Sequence, residues 1–304
     1  MTVIKLIMNP GSRAGRARQR WPYWLEALKN SGVEHTALIT QSRRNAYELA
    51  LASSPGDTVV AVGGDGTINE VINGLVDAPS REMKMGVLYN GTSPDFCRFH
   101  GIPTDPREAM KILLHAAARP VDVARIRYHD GAGTDITRHF ACSTNIGLGS
   151  AVAECSNRIR PFFGDTTGTA FALIKAVLKL RPCDYRFTIN QRSIALSDVC
   201  HVAVLKNPYI ASGLKADLPL TPDDGKLCVV ALHDMSRMKL LRLLPRLYSG
   251  DVTGRPGVFT ATAQDIHISA TSPRTVEYDG DPQGFLPAEV SLLPRHLNLI
   301  GSCT

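Results

Sequence analysis

An apolar run that stops at glycine, turns around one acid and restarts with helical spacing can be built in few ways, and Val59 to Glu70 is such a run. Val59-Val60-Ala61-Val62 suits a strand buried on both faces. Gly63, Gly64 and Gly66 admit backbone angles and close approaches that a side chain forbids, so their N–H groups can face an anion. Ile68, Val71, Ile72 and Leu75 recur at helical spacing, which predicts a helix over Thr67 to Leu75 whose positive N-terminal end points at the same place. A carboxylate at Asp65 is repelled by phosphate unless a divalent cation or a hydroxyl donor accompanies it, as in phosphoryl transfer. The plainer alternative is a tight strand-to-helix turn with Asp65 as its cap.

The surrounding segments alternate. Strand-like Val3 to Met8, His35 to Thr40, Thr58 to Val62 and Lys84 to Tyr89 are separated by helix-like Arg16 to Asn30, Asn45 to Ala52, Thr67 to Leu75 and Pro106 to Ala118. That rhythm predicts a parallel sheet covered by helices, with ligands at the carboxyl ends of the strands. Asn9-Pro10-Gly11-Ser12, Gly63-Gly64-Asp65-Gly66 and Asn90-Gly91-Thr92-Ser93 all fall at such ends. After Asp122 the pattern changes to short strand-like runs with two helix-like inserts, Gly168 to Leu180 and Ser236 to Leu247. The expectation is two domains: an α/β nucleotide-binding domain over residues 1–122, with 296–304 as a candidate return to it, and a β-rich sandwich over 123–295 that binds an acceptor, with a cleft between them.

Composition removes several classes. At 304 residues and 44% hydrophobic, each half has enough apolar residues for a core. Seven scattered cysteines without C-x-x-C spacing and nine dispersed histidines without an H-E-x-x-H pair give no metal-finger or zincin pattern, and they fit a reduced, cytoplasmic setting. Val3 to Met8 is too short for a signal peptide, and no run approaches the ~20 apolar residues of a membrane span. Any membrane contact is therefore expected to be peripheral. The net charge of +6 favours anionic partners. The basic residues are not interleaved with a stacking motif, which argues against nucleic acid.

Taken in order, several blocks resemble the bacterial diacylglycerol kinases and sphingosine kinase-like lipid kinases. They are Asn9-Pro10 with Gly11-Ser12, Gly63 to Glu70, and Gly91-Thr92 with Asp95-Phe96 and Gly101-Ile102-Pro103. Asn145-Ile146-Gly147-Leu148-Gly149, Pro222-Asp223-Asp224-Gly225-Lys226-Leu227 and Asp279-Gly280-Asp281 follow. The glycine turn alone is shared with NAD kinases and phosphofructokinases. The resemblance implies an NAD kinase/phosphofructokinase-like first domain, a β-sandwich second domain and transfer of the γ-phosphoryl group of ATP, with Mg²⁺, to a hydroxyl of a lipid such as diacylglycerol or a related polyol. Alternatives are an NAD kinase-like enzyme or a catalytically weak nucleotide- or lipid-binding protein. A homodimer is compatible with the pattern.

Carried over by resemblance, Asn9, Thr40, Gly63, Gly64, Asp65, Gly66, Thr67, Asn69, Gly91 and Thr92 fall where ATP is held. Asp65, Asp279 and Asp281 are the catalytic candidates. Gly280 lets two carboxylates be presented from one turn, and a carboxylate within reach of an alcohol can take its proton as it attacks phosphorus. The ordinary reading of the same residues is an Asp-Gly hairpin. The family usually has glutamate where Asp281 stands; the shorter side chain retracts the carboxylate by roughly 1.5 Å. Thr221, Asp224 and Lys226 match a structural Mg²⁺ site built from one carboxylate and two backbone carbonyls. Asp122 matches an aspartate of an acidic network. Pro94 stands where the family has asparagine, removing an amide side chain and a backbone donor.

Three surfaces remain. Trp21, Trp24, Leu25 and Leu28 fall on one helical stripe and read as core, with Arg13, Arg16, Arg18 and Arg20 in solvent. Leu240, Leu243, Leu244 and Leu247, flanked by Lys239, Arg242 and Arg246, read as a helix covering the sandwich rather than a membrane-surface helix. Arg158 to Phe163, two phenylalanines among arginines, reads equally as a candidate lipid-entry segment or as a buried crossover loop.

Overall fold

The computed structural model describes residues 3–148, 175–211, 213–278 and 281–302, and these form two compact units, Met1–Val123 with Pro294–Thr304, and Ala124–Leu293. The candidate lipid-entry segment Arg158 to Phe163, most of the helix-like insert Gly168 to Leu180, Gly149, Asp279 and Gly280 lie outside the described residues.

The first unit is built on a parallel sheet. Strand β1 (Ile4–Met8) runs beside β2 (His35–Ile39) and β3 (Thr58–Gly63), and β3 runs beside β4 (Lys84–Tyr89). The end of the last strand, β16 (Asp281–Ile300), completes the sheet, with Asn298 and Leu299 opposite Lys84 and Met85. β3 is buried throughout, as a strand with helices on both faces requires. Register fixes the functional edge. Met8 pairs Val62 and Gly63 pairs Tyr89, so the residues that follow, Asn9, Gly64 and Asn90, leave the sheet at one level. The bonds Asn9 N→Val62 O (3.0 Å), Asn90 N→Gly63 O (2.7 Å) and Thr40 N→Met8 O (3.0 Å) extend the ladder into those turns.

The segment expected as one helix over Arg16 to Asn30 is divided. Ser12–Arg20 is a 3₁₀ run containing Gly15 at φ 85°, and helix α1 spans Trp21–Asn30 with Pro22 in its first turn. Proline lacks the N–H of a helix interior but costs nothing at a helix start, so the α-helix begins there. Trp24 and Leu28 are buried against Leu6, Val60 and Leu88. Helix α2 is Asn45–Leu51, and helix α3, Asp65–Asp77, starts two residues before the sequence reading placed it. Helix α4 (Asp95–Phe99) is short, and α5 (Pro106–His115) is capped by Asp105, whose side chain accepts from Arg107 N and Glu108 N.

The second unit is a β structure around one core that includes Ile126, Phe140, Ile146, Tyr185, Phe187, Val204, Val229 and Ile268. Strand β5 (Ala118–His129) enters it and pairs with β6 (Asp135–Phe140). The other strands are β7 (Ser143–Gly147), β8 (Cys183–Ile189), β9 (Arg192–Leu205), the short pair β10 (Tyr209–Ala211) and β11 (Leu214–Lys215), β12 (Leu227–His233), β13 (Val258–Ala263), β14 (Asp265–Ala270) and β15 (Thr275–Tyr278). Hydrogen bonding runs β7-β15-β16-β14-β8-β9 and back to β7, a closed circuit. β9 turns the corner: its first half pairs β8, its second half pairs β7 and β12, and Asp198 at φ 50° marks the switch. Helix α6 (Arg237–Ser249) begins at Ser236, whose hydroxyl accepts from Lys239 N. It buries Leu240, Leu243 and Leu247 while Lys239, Arg242 and Arg246 are exposed, as its stripe predicts.

Candidate active site

Three turns meet at the carboxyl edge of the first unit's sheet because glycine lets them touch. An added Cβ on Gly91 would lie 2.7 Å from Gly64 Cα and 2.5 Å from the Tyr89 hydroxyl, and one on Gly63 would enter the Thr67 side chain. The reading that these glycines supply unusual backbone angles needs correction. None of Gly63, Gly64, Gly66 and Gly91 has positive φ, and Gly64 is extended at φ −93°, ψ −169°. Their role is close approach. Gly66 differs, with nothing within 4 Å of its would-be Cβ, so its backbone faces open space.

Helix α3 starts at this crossing. Gly64 is its N-cap and offers no side chain, while Thr67 N and Ile68 N both bond Gly64 O at 3.0 Å. Thr67 Oγ1 accepts from Asn9 Nδ2 (2.9 Å), and Asn9 Oδ1 accepts from Gly11 N (2.9 Å), so one side chain ties the turn after β1 to the start of α3. Asn9, Thr40, Gly64, Gly66 and Thr67, with Arg43 and Glu70, line a cavity of about 420 Å³. An uncapped N-terminus of a thirteen-residue helix opening on a cavity is a site for anionic groups. Glu70 does not leave bare negative charge there, since its carboxylate accepts from Arg44 N (3.0 Å) and Ala46 N (3.2 Å) at the start of α2.

Asp65 is the first residue of α3, where a carboxylate complements the helix dipole. The Tyr89 hydroxyl donates to Asp65 Oδ2 at 3.0 Å. Burial, the Asp65 charge and that hydrogen bond raise the Tyr89 pKa far above its ordinary value, so the phenol stays a donor. Burial and the same charge raise the Cys97 thiol. Gly63, Asn69, Gly91 and Thr92 are not on the cavity wall. Asn69 instead accepts from Asn73 Nδ2 along α3. Pro94 occupies the N-cap of α4 and its carbonyl accepts from Arg98 N, while Asp95 accepts from Ser93 Oγ (3.1 Å) and Arg98 Nη1 (3.0 Å). The departure at Pro94 therefore falls where no N–H is needed. Asp122, buried, accepts from Arg295 N at 2.9 Å.

In the second unit Tyr278, at the end of β15, pairs with Asp281, at the start of β16. Next to Tyr278, the buried Glu277 accepts from Asn145 Nδ2 (2.7 Å), and Glu277 O accepts from Thr144 Oγ1 (2.7 Å). Sequence reasoning missed Glu277. The signal available was an acid within the otherwise apolar Val276 to Tyr278.

Thr221, Asp224 and Lys226, the expected Mg²⁺ ligands, do converge, but on the ammonium of Lys206. Its Nζ donates to Thr221 O (2.9 Å), Asp224 Oδ1 (2.8 Å) and Lys226 O (3.2 Å). The three oxygens named for the metal are already hydrogen-bonded to a cation of the chain itself, so they do not fit an additional ion. Among the described residues, no group of three or more His, Cys, Asp or Glu is placed to hold a metal.

Comparison with known proteins covers both units. The Diacylglycerol kinase catalytic domain matches residues 3–126, and the YegS C-terminal NAD kinase beta sandwich-like domain matches residues 142–301. A Mycobacterium tuberculosis diacylglycerol kinase is 27% identical over 300 residues, covering 98% of this chain and 94% of that protein. A Staphylococcus epidermidis diacylglycerol kinase is 26% identical over 301 residues, 97% of this chain and 90% of that one. A Bacillus anthracis diacylglycerol kinase structure superposes with a TM-score of 0.72 at 19% identity, over 99% of this chain and 97% of that one. Yeast NADH kinase, solved with NADH, shares the fold with a TM-score of 0.56 at 12% identity, over 99% of this chain and 84% of that one.

Proposed function

This chain belongs to the diacylglycerol kinase family, as a catalytic domain followed by a YegS-type β sandwich-like domain, and is accordingly an ATP-dependent phosphotransferase acting on an alcohol; we propose that the alcohol is a hydroxyl of a diacylglycerol-like lipid. The observation that carries the nucleotide half of this reading is the cavity at the uncapped start of α3, bounded by Asn9, Gly64, Gly66 and Thr67. MgATP is the substrate placed there. Its phosphates face the start of the helix and the dipole behind it. Thr67, held by Asn9, offers its hydroxyl side of the wall, and Asp65, held by Tyr89, is oriented rather than free to swing.

The acceptor half rests on Asp281, which pairs with Tyr278 at the start of β16, and on Asp279, two positions before it in the sequence. In this proposal the Asp281 carboxylate takes the proton of the acceptor hydroxyl as its oxygen attacks the γ-phosphorus and ADP leaves. A lipid acceptor implies transient contact with a membrane surface from the cytoplasmic side, where MgATP is supplied. Among the described residues no helix is long and apolar enough to cross a membrane.

The test is transfer of labelled γ-phosphate to diacylglycerol, phosphatidylglycerol, a sphingoid base, NAD and soluble polyols, comparing the native chain with Asp281→Asn. Label is expected in diacylglycerol and absent in the variant, with ATP binding retained. Label in NAD or a polyol instead, or a variant as active as the native chain, refutes the acceptor or the base respectively.

A further inference from the structure

The second unit holds a buried cation where none was expected. Lys206 directly follows β9, the strand that pairs both β7 and β12, and its side chain is 1% exposed. A lysine is almost never that buried unless its charge is answered. Here the answer comes from one short turn. Asp224 Oδ1 accepts from Lys206 Nζ and Lys226 N, and Asp224 Oδ2 accepts from Thr221 N, while the carbonyls of Thr221 and Lys226 take further protons of the ammonium. Gly225 at φ 69° lets the turn close around the carboxylate.

This is the geometry of a small cation site: one carboxylate and two backbone carbonyls, all hard oxygens, facing one centre. A divalent ion and an ammonium cannot share it, because both need the same lone pairs and they repel each other. We infer that Lys206 takes the place of a structural divalent cation, so that the turn from Thr221 to Lys226 is closed by a charge the chain carries within itself. The replacement has a physical logic. One ammonium neutralises Asp224, its three N–H groups match the three oxygens, and a tethered cation does not dissociate when free Mg²⁺ falls. The turn leads into β12, so the same contact pins the start of β12 to the end of its neighbour β9. The divalent-ion requirement of the protein then reduces to the ion that accompanies the nucleotide. The inference does not depend on which alcohol is phosphorylated.

The test uses the full chain without nucleotide. Thermal unfolding of the native protein is expected at the same midpoint in EDTA as in millimolar Mg²⁺ or Ca²⁺. Lys206→Ala leaves the partly buried Asp224 without its counter-charge and should lower the midpoint by roughly 10 °C. Mg²⁺, Ca²⁺ or Mn²⁺ should restore much of that loss in Lys206→Ala, and should fail to do so in Lys206→Met, whose side chain still fills the site, and in Lys206→Ala with Asp224→Asn. Electron paramagnetic resonance of Mn²⁺ reads the site directly, with one ion expected on Lys206→Ala that the Asp224→Asn change removes. Three results overturn the inference: a Mn²⁺ ion on the native chain that is lost in Asp224→Asn, a Lys206→Ala protein as stable as native, or one that is destabilised yet takes up no ion. If Lys206→Ala gives no folded protein, the native chain's Mn²⁺ binding compared with Asp224→Asn still decides.

Discussion

Replacing Gly91 by alanine should damage catalysis more than stability, and Gly66→Ala is its control. The new methyl at position 91 would stand 2.7 Å from Gly64 Cα and 2.5 Å from the Tyr89 hydroxyl. Carbon atoms rest at about 3.5–4.0 Å, so the turn after β4 and the turn after β3 must separate by about 1 Å. Overpacking of this kind costs about 1–3 kcal/mol, which for a unit of this size is a few degrees in Tm, at roughly 2–4 °C per kcal/mol. The catalytic cost is larger because Gly64 is the N-cap of α3 and Tyr89 holds Asp65. A displacement of about 1 Å at positioned groups costs on the order of 100-fold in rate. At Gly66 the new methyl meets nothing within 4 Å, and alanine is favoured over glycine in a helix by about 0.5–1 kcal/mol. Gly66→Ala should therefore fold at least as well as native, and any loss should appear in KM for ATP. The assay is kcat and KM for ATP with Tm measured on the same samples. A Gly91→Ala enzyme with kcat/KM within twofold of native would refute the claim that these glycines act by letting two turns touch.

Two further outcomes follow from single contacts. Tyr89→Phe removes the donor to Asp65 Oδ2 and should lower stability by about 1 kcal/mol, with kcat falling more than KM rises if Asp65 must be held in place; unchanged kcat would show that its orientation is immaterial. Burial pushes the His201 pKa down to about 4, against the opposing pull of a hydrogen bond involving the backbone of Ile146, so the folded chain keeps this imidazole neutral while the unfolded chain protonates it near 6.5. Stability is then full above that unfolded value and falls by about 1.4 kcal/mol per pH unit as pH drops from 6.5 towards 4. His201→Gln should flatten that part of a Tm-against-pH curve, and an unaltered slope would assign the loss to other groups.

What the sequence disclosed and what it withheld divide along a physical line. The apolar run Val59 to Val62, the stripe Trp24 to Leu28 and the stripe Leu240 to Leu247 were legible because burial imposes a period on neighbouring residues. The glycine turn was legible as a place of close approach, but the partner of that approach was not: Gly91 touches Gly64 only because β3 and β4 pair in register. β5 and β6 went unread because their exposed faces carry charges such as Arg125, Arg127 and Asp135, which interrupt an apolar run without breaking a strand.

The polar residues that the sequence reading passed over share one property. Tyr89, Glu277 and Lys206 each sit at or beside the end of an apolar strand, and each meets its partner 24, 132 and 18 residues away respectively. No local period encodes such a pairing, yet each residue is expensive to bury alone. A lysine immediately after Val202-Ala203-Val204-Leu205 is therefore informative before any partner is known, because the strand that precedes it must be interior and its charge must be answered there. Charge balance likewise distinguishes the two acidic positions, Asp224 and Asp65. At Asp224 the answer to the negative charge is covalently part of the chain, so adding Mg²⁺ should change nothing until Lys206 is removed. At Asp65 the Tyr89 hydroxyl contributes a hydrogen bond that orients the carboxylate but carries no charge of its own.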